Sequence, residues 1–229
     1  MELDKNSTPT VKLYPNGDIY KGIIINDHRE KKGTLIRNKT STFNAELNLA
    51  IKHRLIIFYC ADKESAKKKF PSQKINDIEI FYYEGDKYEG EFNNDLIEGK
   101  GIMTWVNGNK YEGEFKNNFF DGEGKLTFAT KSYYQGQFKE GMQVGKGIFS
   151  YSNGDKYEGE WKKDKKEGEG VFIDRNGKYE GEYKNDMKEG KGTIYYNNGN
   201  VYDGYFKQNR KVKGLGTLYD PFGNVIEDN

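Results

Sequence analysis

The sequence predicts an all-β protein, an elongated single-layer twisted antiparallel meander of stacked β-hairpins. Three observations lead there. Tyrosines at 88, 111, 134, 157, 179 and 202 open six similar segments spaced 23, 23, 23, 22 and 23 residues apart, and a fixed period of this length marks a repeat architecture. Within each segment, Tyr-x-Gly-x-aromatic is followed by Gly-x-Gly and then apolar residues at alternate positions, the two-residue period of a strand. The 229 residues include 28 Gly, 18 Tyr and 14 Phe, yet only 34% are hydrophobic and mean hydropathy is −0.99. Such a chain has rings and glycines to pack together but few aliphatics for a thick core.

The elements follow in order. Residues 10–14 read as the last strand of an incomplete unit, and LYPNGDIYKG at 13–22 as a unit boundary with Tyr20 as the next start. Gly33 falls at the second glycine of Gly-x-Gly, while Lys31 replaces the first. Counting the period onward places a second start at Phe43, with Phe43, Ala45, Leu47, Leu49 and Ile51 alternating and Leu55–Cys60 as a return strand. The stretch 44–69 also fits an amphipathic helix inserted in the array. A third start falls near Ser65, where ESAKKKFPSQK makes a poor strand, followed by Ile78, Ile80 and Tyr82 in alternation. Residues 1–87 therefore read as degenerate N-terminal repeats with a basic loop near 63–74, 88–224 as six regular repeats, and 225–229 as a C-terminal tail.

In the unit YEGEFNNDLIEGKGIMTWVNGNK, Tyr88, Gly90 and Phe92 share one strand face, and Gly99, Gly101, Met103 and Trp105 share it on the return strand. Glu89, Glu91, Lys100 and Thr104 take the other face. Each hairpin thus has an aromatic, glycine-studded face and a charged face, and Val106-Asn107-Gly108-Asn109 reads as the turn to the next hairpin. The pattern resembles the MORN repeat family, whose unit reads roughly YxGxWxxGxxxGxG, with six units in register over 88–224.

The composition excludes several functions. Lys+Arg number 37 against 36 Asp+Glu, a net charge of +1, without the basic excess of a nucleic-acid binder. The apolar run Leu55–Cys60 is too short to span a bilayer, and the N-terminus lacks the form of a signal peptide. Cys60 has no partner for an intrachain disulfide. His28 and His53 have no Ser/Asp or Cys constellation beside them, and no phosphate-loop motif occurs. Asp174-Arg175-Asn176-Gly177 reads as a turn because a calcium loop's closing Glu is missing. No catalytic residue, metal site or cofactor is expected.

Two features remain for function. One is the aromatic face, where Tyr88, Phe92, Trp105, Tyr111, Phe115, Phe128, Tyr134, Phe138, Tyr157, Trp161, Phe172 and Tyr183 are candidate protein-binding residues lining a groove for a helix or extended segment. The other is Lys67, Lys68, Lys69 and Lys74, a candidate contact for an anionic partner. Uncapped sheet edges add homo-association as a possibility. Resemblance to the MORN family implies several settings: attachment to lipid kinase or SET-type methyltransferase domains, a membrane anchor as in junctophilins, or stand-alone scaffolds of radial spokes and protist cytoskeletons. With repeats running to its end, the chain resembles the stand-alone kind. The expectation is a non-catalytic cytoplasmic scaffold in a ciliary axoneme or cytoskeletal complex. The alternatives are a peripheral membrane tether binding anionic phosphoinositides and an accessory subunit of an enzyme complex.

Overall fold

The structure, a computed structural model, describes residues 10–14, 18–38, 56–59, 80–83 and 85–228. These residues form strands and turns, with no helix among them. They fall into two compact units, 1–119 and 120–229. The first carries β1 (Thr10–Leu13), β2 (Ile19–Ile25), β3 (His28–Asn38), β4 (Ile56–Tyr59), β5 (Ile80–Tyr83), β6 (Gly85–Asn93), β7 (Leu96–Thr104) and β8 (Lys110–Lys116). The second carries β9 (Phe119–Thr127), β10 (Tyr133–Lys139), β11 (Met142–Ser150), β12 (Lys156–Lys162), β13 (Lys165–Asp174), β14 (Gly177–Lys184), β15 (Met187–Tyr196), β16 (Val201–Lys207), β17 (Arg210–Tyr219) and β18 (Val225–Asp228). In each unit neighbouring strands pair antiparallel and follow chain order, apart from β4 and β5.

Tight turns close the hairpins. Asn94-Asp95, Asn117-Asn118, Lys163-Asp164, Asn185-Asp186 and Gln208-Asn209 all have positive φ at both residues, between 46° and 70°. That is the type I′ pattern, whose twist matches the flanking strands.

The repeat's two glycine classes have different jobs. Gly159 and Gly170 lie opposite each other on β12 and β13, with the ring of Tyr157 over both. A methyl on Gly170 would come 2.6 Å from that ring's Cε2, and one on Gly159 would come 2.6 Å from the Gly170 Cα. Here the absent side chain makes room. The first glycine of Gly-x-Gly instead supplies conformation: Gly168 has φ +65° and sits where the β12–β13 register slips, so the strand bulges without the strain a side chain would meet there. In the unit at Tyr20 the equivalent residue is Lys31, with φ 57°.

The array does not contain the two degenerate units expected from Phe43 and Ser65. β3 pairs directly with β6, setting Gly33 opposite Gly90, Leu35 opposite Tyr88 and Asn38 opposite Gly85. The hairpin at Tyr20 is therefore followed in the sheet by the one at Tyr88. β4 and β5 pair parallel in a separate two-stranded sheet, Ile56 opposite Ile80. Residues 39–84 contain no glycine, the residue on which the opening tyrosines rest in the described hairpins; apart from 56–59 and 80–83 they lie outside the described residues. Apolar alternation makes a strand but not a repeat. The strand-or-helix alternative for 43–60 lies outside the described residues except at 56–59, which is strand.

Two outcomes follow for stability. Lys31→Gly should raise the urea midpoint, by about 1 kcal/mol for a side chain released from the left-handed region, whereas Gly170→Ala should lower it by about 1–3 kcal/mol through overpacking. Replacing 39–84 by a short Asn-Gly turn should leave the β-sheet circular dichroism and the cooperative melt intact, because Asn38 and Gly85 already face each other.

Candidate functional site

The aromatic face is built from one repeated contact. Tyr157 stands edge-on between Trp161 of its own hairpin and Tyr183 of the next, with ring centroids 5.2 and 5.1 Å apart. Tyr134 stands likewise between Phe138 and Trp161, and Tyr88 between Phe92 and Phe115. Each hydroxyl then donates to a backbone carbonyl three residues on, Tyr88 to Glu91 at 3.0 Å and Tyr157 to Glu160 at 3.1 Å. Burial pushes the Tyr88, Tyr134, Tyr157, Tyr179 and Tyr183 hydroxyls well above their usual range, so they remain protonated.

This divides the twelve expected partner contacts. Tyr88, Phe92, Tyr111, Phe115, Tyr134, Phe138, Tyr157, Trp161 and Tyr183 are 0–7% exposed and form the core. A ring sealed against its neighbours has no surface left for a partner, and Trp161 also donates from Nε1 to the Gly147 carbonyl at 3.2 Å. Trp105, Phe128 and Phe172 remain half-buried. In unit 120–229 the last two extend into a strip with Phe149 and Tyr151: Phe128–Phe149 is 6.0 Å, Phe149–Tyr151 4.5 Å and Tyr151–Phe172 6.1 Å between centroids. Phe149 escaped the sequence reading, although it occupies the same repeat position as Phe172. Lys67, Lys68, Lys69 and Lys74 lie outside the described residues.

A row of lysines borders this strip. Nine residues after each opening tyrosine stand Ile97, Phe120 and Gln143, then Lys166, Lys188 and Lys211. The Lys166 ammonium lies 4.8 Å from the Tyr157 ring centre, 5.0 Å from Phe172 and 5.4 Å from Tyr151. Lys188 lies 4.3 Å over Tyr179 and Lys211 3.7 Å over Tyr202. Burial pulls the Lys188 pKa down, with Asp174 opposing.

Hairpin tips are stitched to one another. The Asp164 backbone N–H donates to the Gln143 carbonyl, and the Gln143 N–H returns a 2.8 Å bond to the Asp164 carboxylate. Asp186 with Lys166, Asn209 with Lys188 and Asn118 with Ile97 repeat the exchange. Acids preceding Gly-x-Gly cap the neighbouring turn: Glu167 accepts from the Asn185 N–H at 3.0 Å and Glu189 from Gln208 at 2.9 Å. Asp95 carries the most charged version, accepting from the Arg29 N–H at 2.8 Å and Nε at 2.9 Å, with His28 Nδ1 at 2.6 Å. Burial alone would raise its pKa, but these partners outweigh that and hold it at about 2.

The opposite face of unit 120–229 holds a trough of about 550 Å³ along the glycine row, lined by Glu123, Lys146, Glu158, Glu160, Glu169 and Glu180. Lys156–Glu158 and Lys178–Glu180 pair within single strands at 2.8 and 2.7 Å. Tyr205 stands opposite Lys191. Among the described residues no three His, Cys, Asp or Glu side chains gather as a metal site.

A series of tyrosine-over-glycine hairpins, coupled within each unit through their rings, defines a repeat-array protein. The MORN repeat family model matches residues 88–110, 111–133, 134–156, 157–178 and 179–201, and the chain belongs to that family as a MORN repeat array. Such repeats are interaction or membrane-binding modules. The hairpins at Tyr20 and Tyr202 carry the same contacts outside the matched span. No curated protein matches the chain. Among solved structures, the TCP domain of SAS-4 (dCPAP) from Drosophila melanogaster, solved with a proline-rich motif of Ana2 (dSTIL), is 12% identical at a TM-score of 0.35, over 56% of this chain and 76% of that one.

The Asp95 cluster sets a pH dependence. Its folded carboxyl titrates below its unfolded value, so its contribution is complete above about pH 4 and is lost as the pH falls toward 2. With the carboxylate 34% exposed, solvent screening limits this to about 1 kcal/mol. Asp95→Asn, which keeps an acceptor as Asn118 does, should flatten stability between pH 4 and 2 in acid titrations followed by circular dichroism.

Proposed function

We propose that this protein is a non-catalytic scaffold that holds a segment of a partner protein on the half-exposed aromatic strip of unit 120–229. The observation that carries this is the strip itself. Phe128, Phe149, Tyr151 and Phe172 form a chain of rings with centroids 4.5–6.1 Å apart, while the rings beneath are sealed in the core. Contiguous apolar surface of this kind marks a binding site, and aromatic side chains carry a large share of interface energy. The reading sets the protein in a ciliary axoneme or cytoskeletal complex, one of the settings that resemblance to the MORN family implies.

A photo-crosslinking residue at Tyr151, expressed in the native cell, should give a discrete protein adduct identified by mass spectrometry. The same residue at Lys116, an exposed strand position, should not. Phe172→Ser should reduce the Tyr151 adduct at least about tenfold, the loss expected when an aromatic anchor is truncated. Equal adducts at both positions would remove the strip as the site. Immunofluorescence with the axoneme or the cytoskeletal fraction tests the setting.

A further inference from the structure

The lysine row points to the chemistry of the partner. The acids beside it hydrogen-bond backbone N–H groups rather than the lysine ammoniums. Glu167 and Glu189 cap the tips of neighbouring hairpins, and Asp174 accepts from the N–H groups of Asn176 and Gly177 in its own turn. Among the described residues no salt bridge within 4.0 Å reaches Lys166, Lys188 or Lys211. Other lysines of the array do pair, as Lys156 and Lys178 show. The three ammoniums are instead held over rings, a placement that fixes their position, and Asp174 acts on Lys188 at longer range without a direct ion pair.

The spacing is also defined. The three lysines stand at one repeat position on β13, β15 and β17, alternate strands of the sheet, and so recur at about 9.5 Å. An apolar row of Phe149, Phe172, Ile194 and Leu218, each opposite an opening tyrosine, crosses the same strands. Between the rows a pit of about 190 Å³ is lined by Phe172, Ile194 and Tyr196, with Lys178 and Lys188 against the single carboxylate of Asp174. An extended segment presents alternate residues to opposite sides and meets one row well. A helix can lay an apolar stripe on one row and a flanking polar stripe on the other.

We infer that the partner segment is an acidic amphipathic helix crossing the strands of unit 120–229. Its apolar stripe rests on the Phe149–Leu218 row, and its carboxylates meet Lys166, Lys188 and Lys211 at intervals of about seven residues, which keep them on one stripe and span about 10.5 Å at 1.5 Å per residue, within side-chain reach of the lysine spacing. This rests on the aromatic strip being the partner site. Lys166 and Lys188 are half-buried, and Lys188 lines the pit, within reach of a side chain from a helix laid on the rows but set back from a flat headgroup plane, which favours a protein partner over a lipid surface.

The test uses the full chain and three synthetic helices of about 21 residues, enough to cross β11 to β17. They share one leucine stripe and carry Glu, Gln or Lys at the flanking positions. By fluorescence anisotropy at physiological salt, the Glu helix should bind about tenfold tighter than the Gln helix, as three partly exposed ion pairs would give, and the Lys helix should bind weakest. The Glu preference should shrink at about 0.5 M salt. K166Q/K188Q/K211Q should abolish the preference while keeping affinity for the Gln helix. Gln143 already occupies the equivalent position, and K188Q alone serves if the triple variant is unstable. Equal affinity for the Glu and Gln helices would overturn the acidic assignment and leave the strip standing, provided Phe172→Ser weakens both. No binding by any helix would overturn both readings. Lysine-dependent binding to phosphatidylserine vesicles without Glu-helix binding would overturn it in favour of a membrane.

Discussion

A tyrosine ring lying over two facing glycines organises this protein. Among the described residues the hairpins of the array form a single layer of strands, and the rings find cover within that layer. The opening tyrosines lie over the bare backbone of their own hairpins, and Tyr88, Tyr134, Tyr157 and Tyr179 stand edge-on between aromatic side chains of two successive hairpins. Such edge contacts contribute about 0.5–1.5 kcal/mol each beyond burial. Because Tyr88, Tyr134, Tyr157 and Tyr179 each contact their own hairpin and the next, stability within each unit propagates as nearest-neighbour coupling. The period cannot drift by a residue without losing a ring, a glycine pair and a register at once.

From that constraint the other features follow. The ring needs the strands close at the glycine pair, and the return strand then bulges at the preceding glycine to restore the pairing. The bulge brings the acid before it to the neighbouring hairpin tip, where it caps a turn N–H. The Asx residue of that turn completes the stitch by exchanging two hydrogen bonds with the previous hairpin. The carboxylates of the repeat are therefore largely structural, and the charges left for recognition are those the stitching does not use.

Much of this was legible from residue spacing. The tyrosine period, the Gly-x-Gly motif and the strand alternation identified the hairpins and the ring face, because each reflects a local rule. The lysines at 166, 188 and 211 and the phenylalanine at 149 were equally visible as repeat positions, yet their significance was not: position alone does not say whether a side chain points into a neighbour or past it. The region 39–84 shows the limit of periodic counting. Its apolar alternation and its length, close to a whole number of periods, suggested repeats, while its lack of glycine, also written in the sequence, was the stronger physical signal against them.

By itself the sequence determined the fold class, the position of each hairpin from Tyr88 onward and the residue types on each face, because glycine, aromatic and turn chemistry act over a few residues. Only the tertiary structure decided which rings are core and which are surface. Burial of Trp161 depends on Tyr134, a full repeat away, and exposure of Phe172 depends on how far that same stacking extends. The same holds for charge: Glu167 and Lys166 are adjacent in the chain, but one caps the next hairpin and the other lies over rings, because the bulge and the strand pairing send them to different neighbours.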